Sequence, residues 1–165
     1  MRLSKIVIIA IVTIMAATGY FGAAEDNKQP FTITISAYKD TVRIGEETRL
    51  HVVLANISDQ SLVFRRSVSP ITAEHHYTVL VHDKRGKNTQ ETEYGRHTRL
   101  HQLIGSDSAI LLKPGEKLEE DAILSDVFDL TSPGEYEIQF LRPVSEDPNE
   151  KEIVKSNTIT ITVIE

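Results

Sequence analysis

The residues of this sequence whose types and spacing could bind a metal are Glu93, His97 and His101, which are four residues apart. On a helix they would share one face and could bind a zinc ion. On a strand His97 and His101 would lie about 13 Å apart, too far to share a metal. Gly95 and Gly105 disfavour a helix here, and the metalloprotease pattern H-E-x-x-H is absent. The polar surroundings favour a solvated loop, so we expect no metal and no other cofactor.

Other patterns that support catalysis are missing. The segment GSDS (residues 105–108) lacks the second glycine of a nucleophile elbow, and no phosphate-binding glycine loop occurs. Glu119 and Asp121 could resemble a general acid and base, but on a strand they share a face that we expect to be solvated. The chain has no cysteine, which excludes disulfides, thiol catalysis and thiolate metal sites. We therefore expect a protein that is not an enzyme.

The first 24 residues have the pattern of an export signal. Arg2 and Lys5 precede an aliphatic run over residues 6–17, and small residues at Gly22 and Ala24 suit a signal peptidase. An alternative is an uncleaved anchor, because residues 6–24 approach the roughly 20 residues needed to cross a bilayer. We expect cleavage before Glu25, a polar lead-in over residues 25–30, one domain over residues 31–165, and a periplasmic or extracellular destination.

Net charge excludes one class of partner. Removal of residues 1–24 leaves 16 Lys and Arg against 24 Asp and Glu, so the formal net charge falls from -6 to -8. A domain this acidic repels phosphate backbones, and no basic face interleaved with aromatic residues is present. We expect no nucleic-acid partner, and membrane contact only if the N-terminal segment stays uncleaved.

From residue 31 onward, apolar residues alternate with polar ones in short segments. In FTITISAY (residues 31–38), Phe31, Ile33 and Ile35 share one face, and TRLHVVLAN (residues 48–56) repeats the pattern. The predicted strands are residues 31–38, 48–56, 61–66, 77–83, 109–112, 117–124, 135–141 and 157–164, most of them separated by glycine-containing turns. Seven or eight short strands predict an all-β fold, an antiparallel immunoglobulin-like β-sandwich.

Two regions break this alternation. Residues 125–130 are too few for an independent helix, and we expect one helical turn there with Val127 and Phe128 or Leu130 filling an end of the core. Residues 83–99 are polar and contain glycines, which predicts a long loop, and a loop of that length is either functional or mobile.

Tyr136 is the best candidate for a tyrosine corner. It follows Pro133 and Gly134 at the start of the penultimate predicted strand. A tyrosine in this position packs its ring at the core edge and donates its hydroxyl to the backbone a few residues upstream. Gly134 supplies a permissive dihedral angle for the turn. An ordinary strand aromatic after an ordinary turn is the alternative.

The segments LHVVLANISD (residues 50–59), LKPGE (112–116) and PGEYEI (133–138) resemble exported bacterial immunoglobulin-like domains over nearly the whole mature chain. This resemblance implies a binding or interaction module. The layout is also similar to that of the bacterial intracellular proteinase inhibitor family, which implies a loop presented to a protease, with residues 83–99 as the candidate. The sequence departs from that family by its export signal and by having only Tyr77 and Val79 where a denser aromatic cluster is expected.

Two loops are candidates for the recognition surface. In a sandwich the connection between the last two strands, residues 145–150, lies at the same end as the turn over residues 56–60. The candidate contact residues are Asn56, Asp59, Glu146, Asp147, Asn149 and Glu150. A solubilising hairpin tip is the alternative, and the spacing of the acidic residues matches no EF-hand. The expected partner is a protein or surface ligand whose identity the sequence leaves open.

Overall fold

The computed structural model of the protein describes residues 29–67, 77–101, 107–145, 149 and 151–165. The predicted signal segment and its cleavage site lie outside these residues, as do most of the lead-in and the predicted contact residues Glu146, Asp147 and Glu150. No helix in the described part of the chain is long and apolar enough to span a bilayer. Export and the domain boundary at residue 24 therefore stay predictions.

The described residues form ten strands and two short helices. In chain order they are β1 (Phe31–Ala37), β2 (Thr41–Arg43), β3 (Arg49–Asn56), β4 (Leu62–Ser67), β5 (Thr78–Asp83), α1 (Glu93–His101), β6 (Asp107–Leu112), β7 (Lys117–Ile123), α2 (Leu124–Val127), β8 (Gly134–Pro143), β9 (Ile153–Lys155) and β10 (Ile159–Ile164).

The strands build an immunoglobulin-like β-sandwich. One sheet has the order β1-β3-β7, and the other has the order β2-β10-β8-β5 with β9 added beside β8. The paired strands are antiparallel except β2 and β10, which are parallel. Beyond the end of the first sheet, β3 continues into β4 and β6 leads into β7, and β4 pairs with β6 as a two-stranded ribbon.

The core lies between the two sheets and follows the alternation of the sequence. Every second residue of β1 is buried, and Leu50, Val52 and Leu54 of β3 are almost completely buried. Ile138 and Phe140 of β8 have no exposed surface. Each such side chain contributes about 1.5–3 kcal/mol relative to an exposed one. Because no disulfide is present, this burial is the main stabilising term.

All eight segments predicted as strands contain a strand, and the described part of the chain has two further strands. β2 and β9 are each three residues long. Each lies at the edge of the second sheet and pairs with a longer strand, β10 or β8. Strands this short give no periodic pattern of their own, so only tertiary pairing defines them.

The open edge of β1 is closed by a side chain. Asn157 accepts a hydrogen bond from the Ile35 backbone nitrogen at 2.8 Å and donates one to the Ile35 carbonyl at 2.9 Å. Its amide thus replaces the neighbouring strand that an edge residue lacks. The same pair joins β1 to the segment between β9 and β10.

Tyr136 makes the hydrogen bond of a tyrosine corner. Its hydroxyl donates to the carbonyl oxygen of Ser132, four residues upstream, at 2.8 Å. The ring is buried, and burial is the main reason that the pKa of Tyr136 is raised. Gly134 has a φ of +156°, a value that residues with a Cβ rarely adopt.

Residues 83–99 are not a long loop, so that prediction is wrong. Residues 93–101 form helix α1, which begins where the Thr92 hydroxyl accepts a hydrogen bond from the Gly95 nitrogen at 3.0 Å. Gly95 is buried against α2, and a Cβ there would lie 2.3 Å from the carbonyl oxygen of Val127. The glycine that argues against a helix by propensity is the residue that lets the helix pack.

The predicted helical turn near residue 125 is confirmed as α2. Its packing follows the expectation as well, because Val127, Phe128 and Leu130 are all buried in the core. The Leu124 nitrogen donates to the carbonyl of Thr48, which ties α2 to the start of β3.

Candidate functional site

A cavity of about 340 Å³ lies where the start of β4 meets the end of β8. We call it the Arg142 cleft, and its principal lining residues are Phe31, Leu62, Phe64, Arg142, Val144 and Ser145. Ser61 lines it as well. Ser61 follows the predicted recognition turn, and Ser145 begins the predicted acidic loop. The cleft is therefore at the end of the sandwich where the sequence places both loops.

Asn56 is a structural residue, and its prediction as a contact residue is wrong. It is only 1% exposed. Its side-chain nitrogen donates to the carbonyls of Gln60 and Leu112, both at 2.8 Å. Its oxygen accepts hydrogen bonds from the Ser58 nitrogen and hydroxyl at 3.0 and 2.8 Å. With both amide atoms bonded internally, Asn56 holds the corner where β3 turns into β4.

Of the other five predicted contact residues, the structure describes two. Asp59 and Asn149 are exposed and can meet a partner. Glu146, Asp147 and Glu150 lie outside the described residues. Their role in recognition stays a prediction.

Arg142 is the unusual residue of the cleft, because its charged side chain is only 8% exposed. The central carbon of its guanidinium lies 5.0 Å from the ring centroid of Phe64 and 5.2 Å from that of Tyr77. Burial of a cation costs free energy that aromatic faces partly offset, by up to about 2 kcal/mol per contact when water is excluded. The two rings therefore contact a cation whose charge lies near that of Glu120, because both charges act on the Tyr77 hydroxyl.

Further aromatic contacts surround this cation. Phe31 and Phe64 pack edge to face, with centroids 5.2 Å apart and an interplanar angle of 89°. Tyr77 packs against Phe140 at 5.5 Å. The first contact joins β1 to the ribbon, so Phe31 and Phe64 connect one wall of the cleft to the buried core.

The pKa of Tyr77 shows the effect of burial in this region. Burial raises the pKa of its hydroxyl to about 12. The charge of Arg142 acts in the opposite direction and lowers the pKa, whereas that of Glu120 raises it. Burial outweighs the effect of the cation on this pKa, so the ionised form of Tyr77 is disfavoured here.

Sequence reasoning missed Arg142, although a signal was present. Tyr136, Ile138, Phe140 and Arg142 alternate along β8, so they share its inward face. The predicted strand ends at residue 141, which leaves the arginine out. Glu120 of β7 likewise shares the parity of buried Leu118. Charged residues are rarely buried at inward positions of a strand unless they are paired.

The predicted metal candidates do not form a site in the described structure. Glu93 and His97 do lie on a helix, contrary to the preferred interpretation, but both are exposed. The side chain of His101 lies outside what the structure describes. Within the described residues, no three histidine or acidic side chains are grouped so that they could hold a metal ion.

A polar network covers the outer face of the three-stranded sheet. Asp121 accepts a hydrogen bond from the Tyr38 hydroxyl at 2.9 Å and lies 3.3 Å from His51 Nδ1. Glu119 lies 3.7 Å from His51 Nε2, on the other side of the ring. The bond to Asp121 is the main cause of the raised pKa of Tyr38. Exposed pairs of this kind contribute little to stability, and the network is a solvated face.

Comparison with known proteins gives a likeness in solved structures alone, because no profile of a known family and no curated protein matches the chain. The CARDB domain of a Pyrococcus furiosus protein, crystallised in complex with di-metal ions, shares 15% identity over 81% of this chain and 87% of that one, with a TM-score of 0.40. A solution NMR structure of the same domain shares 14% identity over 82% and 94% of the two chains, with a TM-score of 0.41. A β-glucosidase from Listeria innocua in complex with glucose shares 12% identity over 82% of this chain but 16% of that one, with a TM-score of 0.43. Similarity at this level identifies no ligand, metal or activity for this chain.

Proposed function

We propose that the protein is a non-catalytic binding module that acts outside the cytoplasm and takes its ligand in the Arg142 cleft. The observation that carries the proposal is a cavity of about 340 Å³ lined by Arg142, a nearly buried residue whose guanidinium contacts the rings of Phe64 and Tyr77. Ligand sites are typically mostly apolar cavities of roughly 300–1,000 Å³ with few polar groups. The Arg142 cleft has this size, and the side chains of its described lining residues are apolar except those of Ser61, Arg142 and Ser145.

The position of the cleft also favours binding. It lies where β4 begins and β8 ends, and two of its lining residues, Ser61 and Ser145, belong to connections between strands. A sandwich that presents loops at one end can vary them without disturbing its core. The exposed Asp59 belongs to the turn beside Ser61 and would contribute to the rim.

The chemistry of the cleft supports a function without turnover. Among the described residues that line it, the polar side chains are those of Arg142, Ser61 and Ser145. A guanidinium stays protonated at physiological pH, and a serine hydroxyl needs a neighbouring base to become a nucleophile. These groups can orient a ligand but do not supply a general base.

Action outside the cytoplasm is proposed from the N-terminal sequence alone. Cell fractionation followed by N-terminal sequencing tests it, and we expect an exported protein that begins at Glu25. A protein that keeps residues 1–24 and stays in the cytoplasm would contradict this part of the proposal.

Binding at the cleft is tested with a variant that fills it. In Val144→Trp a large side chain replaces a half-buried lining residue, and Ile164→Trp is the control because Ile164 is exposed and outside the cleft. Wild type and both variants are immobilised and incubated with solubilised envelope extract and with concentrated culture medium. We expect wild type and Ile164→Trp to retain a molecule that Val144→Trp does not.

Two results would overturn the proposal. Retention that is equal in all three proteins, or absent from wild type, would remove the cleft as the binding site. Turnover in a broad hydrolase screen by wild type would show that the protein is an enzyme.

A further inference from the structure

The outer strands of the two sheets differ in how their free edges are protected. The edge of β1 is bonded by the Asn157 amide, and β2 and β9 are only three residues long. The outer edge of β5 is partly covered by the segment that follows it, because the Thr89 nitrogen donates to the carbonyl of Val81 at 2.8 Å. Short, bonded or covered edges protect a sheet against pairing with another chain.

Strand β7 has none of these features in the part of the chain that the structure describes. It is seven residues long, and β3 is the one described strand paired with it. The Asn56 nitrogen donates to the carbonyl of Glu116 across this pair, so the even-numbered residues of β7 direct their backbone groups toward β3. The backbone groups of Lys117, Glu119 and Asp121 therefore point to the free edge, where no described residue bonds to them.

The side chains of this edge carry an excess of negative charge. Over its length, KLEEDAI, β7 has one lysine against three carboxylates, those of Glu119, Glu120 and Asp121. The side chains of Glu119 and Asp121 are 60% and 33% exposed. Glu119 lies 3.7 Å from His51 Nε2, and Asp121 lies 3.8 Å from Arg49 Nη1, both on β3. Both carboxylates keep exposed surface that an adjoining strand can contact.

We infer that β7 binds an extended basic segment of a partner protein, which joins the three-stranded sheet as a fourth strand. The open backbone groups can pair with an extended chain, as in strand addition. The carboxylates select a basic one, because opposite charges on neighbouring strands attract and like charges repel. A second copy fits less well, since the chain has a net charge of -6 and would add the same acidic strand.

This surface is separate from the Arg142 cleft. No residue of β7 is among the described residues that line that cavity. The inference therefore goes beyond the function proposed above and does not depend on it.

Hydrogen exchange measured by NMR tests the open edge before a partner is added. The amides of Lys117, Glu119 and Asp121 should exchange fast, and those of Leu118 and Glu120, which pair with β3, should exchange slowly. Slow exchange of both sets would show that the edge is already covered, which would overturn the inference.

Three peptides test the class of partner. The basic peptide is acetyl-TVKVKVT-amide, and its acidic match has glutamate in place of both lysines. A scrambled match, acetyl-TKKVVVT-amide, keeps the composition but not the alternation. Each is titrated into the purified protein by NMR. We expect the basic peptide to bind about tenfold tighter than either match and to slow exchange at Glu119 and Asp121. No binding of the basic peptide, or binding no tighter than its matches, would overturn the inference.

Two N-methylated isomers of the basic peptide test whether backbone bonds carry the binding. One is methylated at the backbone nitrogens of the two lysines, and the other at those of the valines that follow them. In an added strand only one of these two sets of N–H groups points to β7. One isomer should therefore lose binding while the other keeps it. Loss in both isomers, or in neither, would contradict strand addition.

Two variants with the same change of charge assign the effect to β7. Glu119 and Glu137 are both exposed, and Glu137 lies on β8 of the other sheet. Glu119→Lys should remove the preference for the basic over the acidic peptide, and Glu137→Lys should bind like wild type. Equal effects would show that overall charge, and not β7, determines binding. Self-association of wild type that Glu119→Lys abolishes, measured by sedimentation, would identify a second copy as the occupant and overturn the basic partner.

Discussion

Gly95 of α1 lies against the carbonyl oxygen of Val127 in α2, so close that a Cβ at Gly95 would come within 2.3 Å of that oxygen. The Thr92 nitrogen donates to the same carbonyl at 2.9 Å. The contact fixes the start of α1 on α2. The space beside Val127, and not helix propensity, therefore determines which residue fits at position 95.

Gly95→Ala should therefore destabilise the protein. In an exposed helix the same change stabilises by about 1 kcal/mol, but here the new methyl group meets backbone that cannot rotate away. We expect a loss of about 1–3 kcal/mol in the free energy of unfolding, measured by urea denaturation. His97→Ala, at an exposed position of the same helix, should change it by less than about 0.5 kcal/mol. A higher midpoint for Gly95→Ala would disprove the contact.

Tyr136→Phe should lower the free energy of unfolding by about 1 kcal/mol. The change removes the hydrogen bond to Ser132 and leaves the buried ring in place. Tyr38→Phe is the control, because it also removes a hydroxyl that donates a hydrogen bond, but at an exposed position where the loss should be smaller. Equal midpoints for wild type and Tyr136→Phe would show that the corner bond does not stabilise the fold.

Tyr77 should make the protein unstable in alkali. Its pKa is about 12 in the folded state against 10.0 for an ordinary tyrosine. The folded state then holds a proton that the unfolded state releases, so this contribution is complete below pH 10 and is lost as pH rises through 12. A shift of that size corresponds to about 3 kcal/mol.

Tyr77→Phe should flatten the loss of stability between pH 10 and 12, measured by denaturation at a series of pH values. Tyr38→Phe is again the control, because the Tyr38 side chain is exposed and its raised pKa arises mainly from the bond to Asp121. An alkaline limb that is unchanged in Tyr77→Phe would show that this hydroxyl is not the group that titrates.

Asn56→Asp should destabilise the corner between β3 and β4. A carboxylate of the same shape cannot donate to the carbonyls of Gln60 and Leu112, which the Asn56 amide does at 2.8 Å. Two buried acceptors then face a negative charge, and we expect a loss of about 2–5 kcal/mol in thermal or urea unfolding at neutral pH. Asp59→Ala, in the same turn but exposed, should have little effect.

Recovery of stability in acid would support this explanation of the Asn56→Asp effect, because protonation of the new carboxyl group restores one donor. Unchanged stability of the variant at neutral pH would contradict it.

The sheets could be predicted because burial on one face imposes a period of two, as in Ile33 and Ile35 of β1. The pairing of β2 with β10 could not, because three residues around Val42 carry no period and are defined by their partner. Helix α1 escapes prediction for a physical reason. Propensity treats Gly95 as a breaker, whereas the Thr92 cap and the contact with Val127 are features of the folded chain that override it.

The candidate site was harder to predict than the fold. Sandwich topology puts two loops at one end, and the Arg142 cleft is there. Asn56 is misjudged from sequence because an asparagine before a turn looks the same whether its amide faces solvent or caps a buried corner. Arg142 escapes prediction because a charge on an inward strand position is stabilised here by rings, Phe64 and Tyr77, that are distant in sequence.

The central place of β10 in its sheet affects how the chain can fold during synthesis. β10 lies between β2 and β8, which are about 90 residues apart in the sequence, and it pairs with both. Until the ribosome has made residues 159–164, β2 has no partner in that sheet and β8 lacks one neighbour. The five-stranded sheet can therefore be completed only after nearly all of the chain described by the structure has been synthesised.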